Sequence, residues 1–207
     1  MKTTKVLIGS MVCVLLGFSL MATRAAEPVT AADKQKQVEA LTEKMMLAGM
    51  AGKNKEALEA CDQLIALNPG FGDQYCARGN WLRGLGRKDE AMAAFEKAAT
   101  LTTNMIVRVD CWRSQGELLV EQKKYEEAIK LYTKAIDMMP AKMTPADGAG
   151  PWFRRAEARA LAGDNANALT DLKQAIERRP GDIKKWAKKS AAFKSLKEKA
   201  EFKDLIK

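Results

Sequence analysis

Apolar residues along this chain recur at three- and four-residue intervals, as in Ala128, Leu131, Tyr132 and Ala135, and strand-like alternation is missing. That spacing lays them on one face of a helix. One pattern returns four times, as Gly52 to Ala57, Gly86 to Ala91, Lys123 to Ala128 and Gly163 to Ala168, and its alanines are separated by 34, 37 and 40 residues. Upstream of the last three lie the small residues Gly79, Gly116 and Ala156, each preceded four positions earlier by an aromatic, Tyr75, Trp112 or Trp152. Antiparallel helices approach closely only where small side chains sit at their crossing. Gly79 is therefore expected opposite Ala91, Gly116 opposite Ala128 and Ala156 opposite Ala168, with Trp112 and Trp152 filling the space between hairpins. A period in this range predicts a stack of helical hairpins.

Prolines punctuate the pattern. Pro69, Pro140 and Pro180 stand where a second helix should end, because proline cannot continue it. Repeat two has Thr103 at that place, so its second helix is expected to run longer. Residues 141–150 form an insertion between repeats three and four and read as a surface loop. The first repeat is degenerate, with Leu41 at the aromatic position and Met45 at the small one. The resulting division is a lead at 27–37, repeats at 38–71, 72–108, 109–148 and 149–182, and a basic capping helix and tail at 183–207. The tail places Trp186, Phe193 and Leu196 against the last hairpin, and Phe202 to Lys207 tucks back onto the stack.

The quoted segments closely resemble the tetratricopeptide repeat family, whose unit reads aromatic, Leu-Gly, Ala, aromatic, Pro. The resemblance implies an all-α fold, a right-handed superhelical solenoid of antiparallel helix pairs with about four units and a C-terminal capping helix. It also implies a non-enzymatic protein-interaction scaffold that holds a peptide or partner protein in a concave groove lined by first helices. The family's groove positions fall on Asp73, Cys76, Asn80 and Arg83 of repeat two and on Asp110, Arg113, Ser114 and Glu117 of repeat three. In repeat four they fall on Phe153, Arg154, Glu157 and Ala160. Members that clamp chaperone tails use Lys and Asn where this chain has Thr42 and Met46, which argues against that partner class. The identity of the partner and the oligomeric state are left open. A second reading is an envelope component that binds a small ligand or serves transport, which an apolar cavity within the superhelix would favour.

Composition changes the picture in three ways. The 207 residues carry a net charge of +9, and nine lysines against four acids between Asp182 and Lys207 supply about half of it. A lysine-rich face is usually a solvated one; contact with an anionic surface is the sharper reading. Residues 1–26 have a basic start, an apolar run from Val6 to Met21 and small residues before Glu27, the layout of an export leader. At 16 residues with Gly9, Ser10, Gly17 and Ser19 inside it, the run is short for a bilayer span. We expect an exported chain, which the tetratricopeptide resemblance implies is periplasmic, the alternative being an uncleaved inner-membrane anchor. Nucleic acid is then not an expected partner. Export would also leave Cys61, Cys76 and Cys111 where disulfides form. Cys61 and Cys76 fall at matching heights on neighbouring helices, so a bridge between them is one reading and buried thiols the other.

The chain has no histidine, which excludes imidazole-based triads and imidazole zinc sites. Neither Cys-x-x-Cys nor a Gly-x-Ser-x-Gly turn is present, and the run from Arg83 to Lys88 lacks the ending of a phosphate-binding loop. Acidic pairs such as Asp89-Glu90 and Glu126-Glu127 open second helices, where they suit the helix dipole. No catalytic residue, metal or cofactor is expected.

Overall fold

The computed structural model describes residues 30–139 and 145–207, so the expected leader, Pro140 and the first part of the insertion lie outside the described residues. Four antiparallel hairpins follow one another: α1 (Ala31–Met50) with α2 (Asn54–Leu67), α3 (Gly72–Gly84) with α4 (Lys88–Leu101), α5 (Met105–Glu121) with α6 (Tyr125–Met138), and α7 (Pro145–Leu161) with α8 (Asn165–Arg178). Then come α9 (Pro180–Lys189), a single 3-10 turn at Ala191–Phe193, and α10 (Ala200–Leu205). From α1 to α9 each helix packs on the next, α10 packs back on α8, and the first helices of neighbouring hairpins also touch, α3 on α5 and α5 on α7. The result is an all-α, right-handed superhelical solenoid.

The repeated Gly-to-Ala motif is the turn inside each hairpin. Gly52, Gly86 and Gly163 have φ of 71, 76 and 88°, the left-handed region that glycine enters without steric cost. The N–H groups of Lys53, Arg87, Lys124 and Asp164 reach back to the carbonyls of Ala48, Leu82, Leu119 and Arg159, closing each first helix in the same way. Lys123 takes the glycine's place with φ of 61°. Five residues beyond the turn, Ala57, Ala91, Ala128 and Ala168 are fully buried.

The crossings differ from the expected pairing in one respect. A Cβ on Gly79 would stand 2.6 Å from the ring of Phe95, and one on Gly116 would stand 2.5 Å from the ring of Tyr132. The glycines thus make room for an aromatic one turn beyond the alanine, and both rings are buried. Trp152 sits half-buried with the guanidiniums of Arg155 and Arg178 each 4.9 Å from its ring.

Several helices open before the repeat bounds set above: α1 begins at Ala31, α5 at Met105, α7 at Pro145 and α9 at Pro180. A capping box between Thr30 and Asp33 starts α1 early. The second helix of repeat two does not run longer; α4 has the same 14 residues as α2, α6 and α8. Thr102 ends it, its hydroxyl held by Asp73, and Asn104 caps α5 by accepting from the N–H of Ile106. The extra residues instead lengthen the next first helix, 17 residues in α5 against 13 in α3. Likewise Pro145 to Gly150 are not loop but the opening turns of α7. Pro151 lies inside that helix, at its seventh residue, where it removes the N–H that would reach back to residue 147.

The tail places Phe193, Leu196 and Phe202 in the core of the last hairpin. Trp186, expected there too, is 43% exposed; Ile183 and Ala187 of α9 are buried in its stead. No Cys61–Cys76 bridge forms. The three cysteines are free and buried. Cys61 points its thiol at the Gln74 carbonyl, 3.2 Å away, while Cys76 faces Cys111 of α5, so the two sulfurs do not meet despite their matching heights. Burial, helped by the charge of Asp62, pushes the Cys61 thiol up to about 12. The Cys111 thiol, hydrogen-bonded to Cys76 and buried, is also pushed up.

Candidate functional site

The inner face of the solenoid is formed by α3, α5 and α7, and a charged lattice crosses it. Glu117, on α5, is the junction. One of its carboxylate oxygens accepts from Arg83 Nη1 at 2.5 Å, and the other accepts from Arg113 Nη1 at 2.7 Å and Arg154 Nε at 3.1 Å. Arg83 and Arg154 lie 34 and 37 residues away in sequence. One repeat of the superhelix brings such residues side by side on neighbouring first helices. Arg113 also reaches Asp110 at 3.3 Å, and Arg154 Nη1 donates to Glu157 at 2.8 Å. Burial works against the charge of Arg113, but Glu117 and Asp110 outweigh it and hold the guanidinium more firmly protonated. The same balance holds at Arg154, where Glu157 is the main stabilising charge.

Of the groove residues expected from the repeat register, the structure brings Arg83, Asp110, Arg113, Glu117, Arg154 and Glu157 into this one lattice. Asn80 is exposed on α3. Asp73 does not join; its carboxylate is occupied by the Thr102 hydroxyl at the end of α4. Cys76, Ser114 and Ala160 are buried and belong to the packing, while Phe153, also buried, borders an open hollow. Phe153 stacks edge-on with Trp186 and Phe193, both at 5.9 Å between ring centres.

Sequence reasoning missed two members. Ser190, at the end of α9, donates its hydroxyl to Glu157 at 2.6 Å, tying the cap to the groove. Lys189 stands beside it on the exposed side of α9. The Trp186 register, 34 residues after Trp152, was the available signal that α9 continues the row of first helices. Two open hollows lie along this row. One of about 250 Å³ is bordered by Glu117, Val120, Tyr132 and Arg154, and one of about 340 Å³ by Phe153, Arg154, Trp186 and Lys189. A more apolar hollow lies on α1 around Val38, Thr42, Met46 and Met50, on the helix face that carries the clamp positions Thr42 and Met46. Among the described residues no helix is long and apolar enough to cross a membrane.

A second ionic cluster is interior. Asp171 of α8 is 1% exposed and accepts both Nε and Nη2 of Arg155, at 2.8 and 2.9 Å, together with Arg159 Nη1 at 2.7 Å. Arg155 spends its remaining nitrogen on the Thr133 hydroxyl of α6 at 2.9 Å. This cluster locks repeat three to repeat four and offers nothing to a ligand.

Three segments, 75–104, 109–142 and 152–182, match tetratricopeptide repeat models. No curated protein matches the chain in sequence. Among solved structures it is similar to PilW, described as a widely conserved type IV pilus biogenesis factor, at 18% identity over 83% of this chain and 76% of that one, with a TM-score of 0.66. It is similar to residues 41 to the end of MamA from Desulfovibrio magneticus RS-1, at 15% identity over 82% and 93%, TM-score 0.61. It is also similar to YrrB, a TPR protein with an unusual peptide-binding site, at 21% identity over 86% and 92%, TM-score 0.58. At these identities the likeness is one of fold. The repeat matches, the recurring left-handed turn and the buried alanine after it agree: the chain is a tetratricopeptide repeat protein.

Proposed function

We propose that this protein is a non-catalytic interaction scaffold of the cell envelope, exported by its leader, that holds a polypeptide partner along the inner face of repeats two to four. The observation that carries the reading is the row of guanidiniums around Glu117. Arg83, Arg113 and Arg154 are oriented by that one carboxylate yet stay 33, 28 and 43% exposed, so their outer N–H groups face the groove on three successive repeats. An extended peptide presents carbonyls and carboxylates at intervals such a row can meet, and prior orientation reduces the entropy lost on binding. The hollows of repeats three and four are open and share the Arg154–Glu157 ion pair at their border, which suits a polypeptide better than an enclosed small molecule. YrrB offers a precedent for peptide binding on this fold. The leader layout of residues 1–26 supports the envelope location.

The test uses the tagged mature chain to recover its partner from the envelope, followed by affinity measurement with R113A and R154A. Each variant should weaken binding by about 1–3 kcal/mol, the range for charge-assisted hydrogen bonds. Their partly exposed ion pairs contribute little to stability, so the fold should persist. If K184Q/K185Q/K188Q abolishes binding while both arginine variants retain it, the basic cap is the site and the groove reading is wrong. Intact mass from the native host should place the N-terminus near Ala26 or Glu27; a full-length, membrane-extracted chain would overturn export.

A further inference from the structure

At its C-terminal end the groove opens into the hollow of about 340 Å³ between α7 and α9, lined by Phe153, Arg154, Glu157, Trp186, Lys189 and Ser190. Its apolar wall is the edge-on pair of Phe153 and Trp186, 5.9 Å apart. Trp186 stays 43% exposed, because the chain breaks at Ser190 and the tail covers the hairpin through Phe193, Leu196 and Phe202 instead. The Arg179 guanidinium lies 5.7 Å from the centre of the Trp186 ring, and the part of the indole left open beside the hollow is a contact surface for an apolar group.

The charges around it have one sign to spare. Both oxygens of Glu157 are engaged, by Arg154 and Ser190, so this carboxylate is already matched. Arg154 uses Nε and Nη1, and among the described residues no acceptor meets its Nη2. Lys189 has no carboxylate partner among the described residues, whereas Asp182, the one acid of α9, is taken by Arg179 at 2.7 Å. Lys184, Lys185 and Lys188 extend the positive field along the same helix. An aromatic wall with unmatched cations at its rim complements an apolar side chain with carboxylates beside it. A basic segment would be repelled.

We propose that this pocket takes a bulky apolar side chain flanked by carboxylates, presented by an acidic segment of the partner that occupies the groove. The inference rests on the groove reading, whose own test uses the native partner. Here the probe is a synthetic peptide, acetyl-Glu-Glu-Phe-Glu-Glu-amide, compared with its Phe-to-Ala version and with acetyl-Lys-Lys-Phe-Lys-Lys-amide. The readout is the indole N–H resonance of Trp186 in the full mature chain, assigned by its loss in W186F, together with the dissociation constant. The acidic Phe peptide should shift that resonance, and affinity should fall at least about tenfold for the Ala peptide, for W186A and for K189E. Lys189 is exposed, so K189E keeps the test valid even if W186A disturbs the cap. An unmoved Trp186 resonance, equal binding of the lysine peptide, or undiminished affinity in K189E would overturn the proposal. If R113A weakens the native partner while the peptide leaves Trp186 unmoved, the pocket inference falls and the groove reading stands. If the peptide binds at Trp186 while R113A and R154A leave the native partner untouched, the groove reading falls and the pocket stands.

Discussion

Removing Asp171 should be the most damaging single polar change in the described fold. Asp171 is buried, and Asp171→Ala deletes the acceptor of three charged N–H groups at 2.7–2.9 Å. Arg155, whose side chain is 9% exposed, would keep only its bond to Thr133. Two estimates of the cost agree. A unit charge pair at close contact in an effective dielectric of about 20 is worth about 4 kcal/mol. Breaking one partner of a buried ion pair typically costs about 3–5 kcal/mol. Arg159→Ala removes one bond from a side chain that is 20% exposed and should cost only about 1–2 kcal/mol. The informative control is R155M/D171L, which removes the buried Arg155–Asp171 pair, leaves the part-exposed Arg159 to solvent and should cost about 1 kcal/mol or less. Urea unfolding followed by far-ultraviolet circular dichroism measures all three. Because each hairpin of a solenoid contacts only its neighbours, the D171A transition should broaden as repeats three and four release first. A cost under about 1 kcal/mol for D171A, or a double variant as unstable as the single one, would refute the reasoning.

Three further outcomes follow from the same geometry. Gly116→Ala would place a Cβ 2.5 Å from the buried Tyr132 ring and should cost about 1–3 kcal/mol in the same unfolding assay; an unchanged midpoint would contradict the crossing described. Lys123→Gly relieves a left-handed lysine, φ 61°, and should stabilise the protein by up to about 1 kcal/mol, seen as a raised urea midpoint. Stability should fall as pH rises from about 9 toward about 12, because the unfolded chain releases the Cys61 proton first, and C61A should lose part of that slope when urea midpoints are compared across the range.

Hairpin turns, buried alanines and small crossing residues were legible in the chain because they are local and recur. Each Gly-to-Ala segment specifies the same left-handed turn and the same buried helix face wherever it occurs. Six of the charged residues singled out by the register share one ion-pair lattice, since equivalent positions on first helices point the same way. What each side chain touches was decided by the tertiary structure. Glu117 gathers arginines from three repeats, and Asp171 those of α7, because stacking joins residues on separate helices whose pairing no periodicity encodes. Cys76 turns to Cys111 rather than Cys61 because facing depends on helix rotation as well as height. Trp186 shares the register of Trp152, yet stays open to solvent because the chain after Ser190 covers the hairpin by another route.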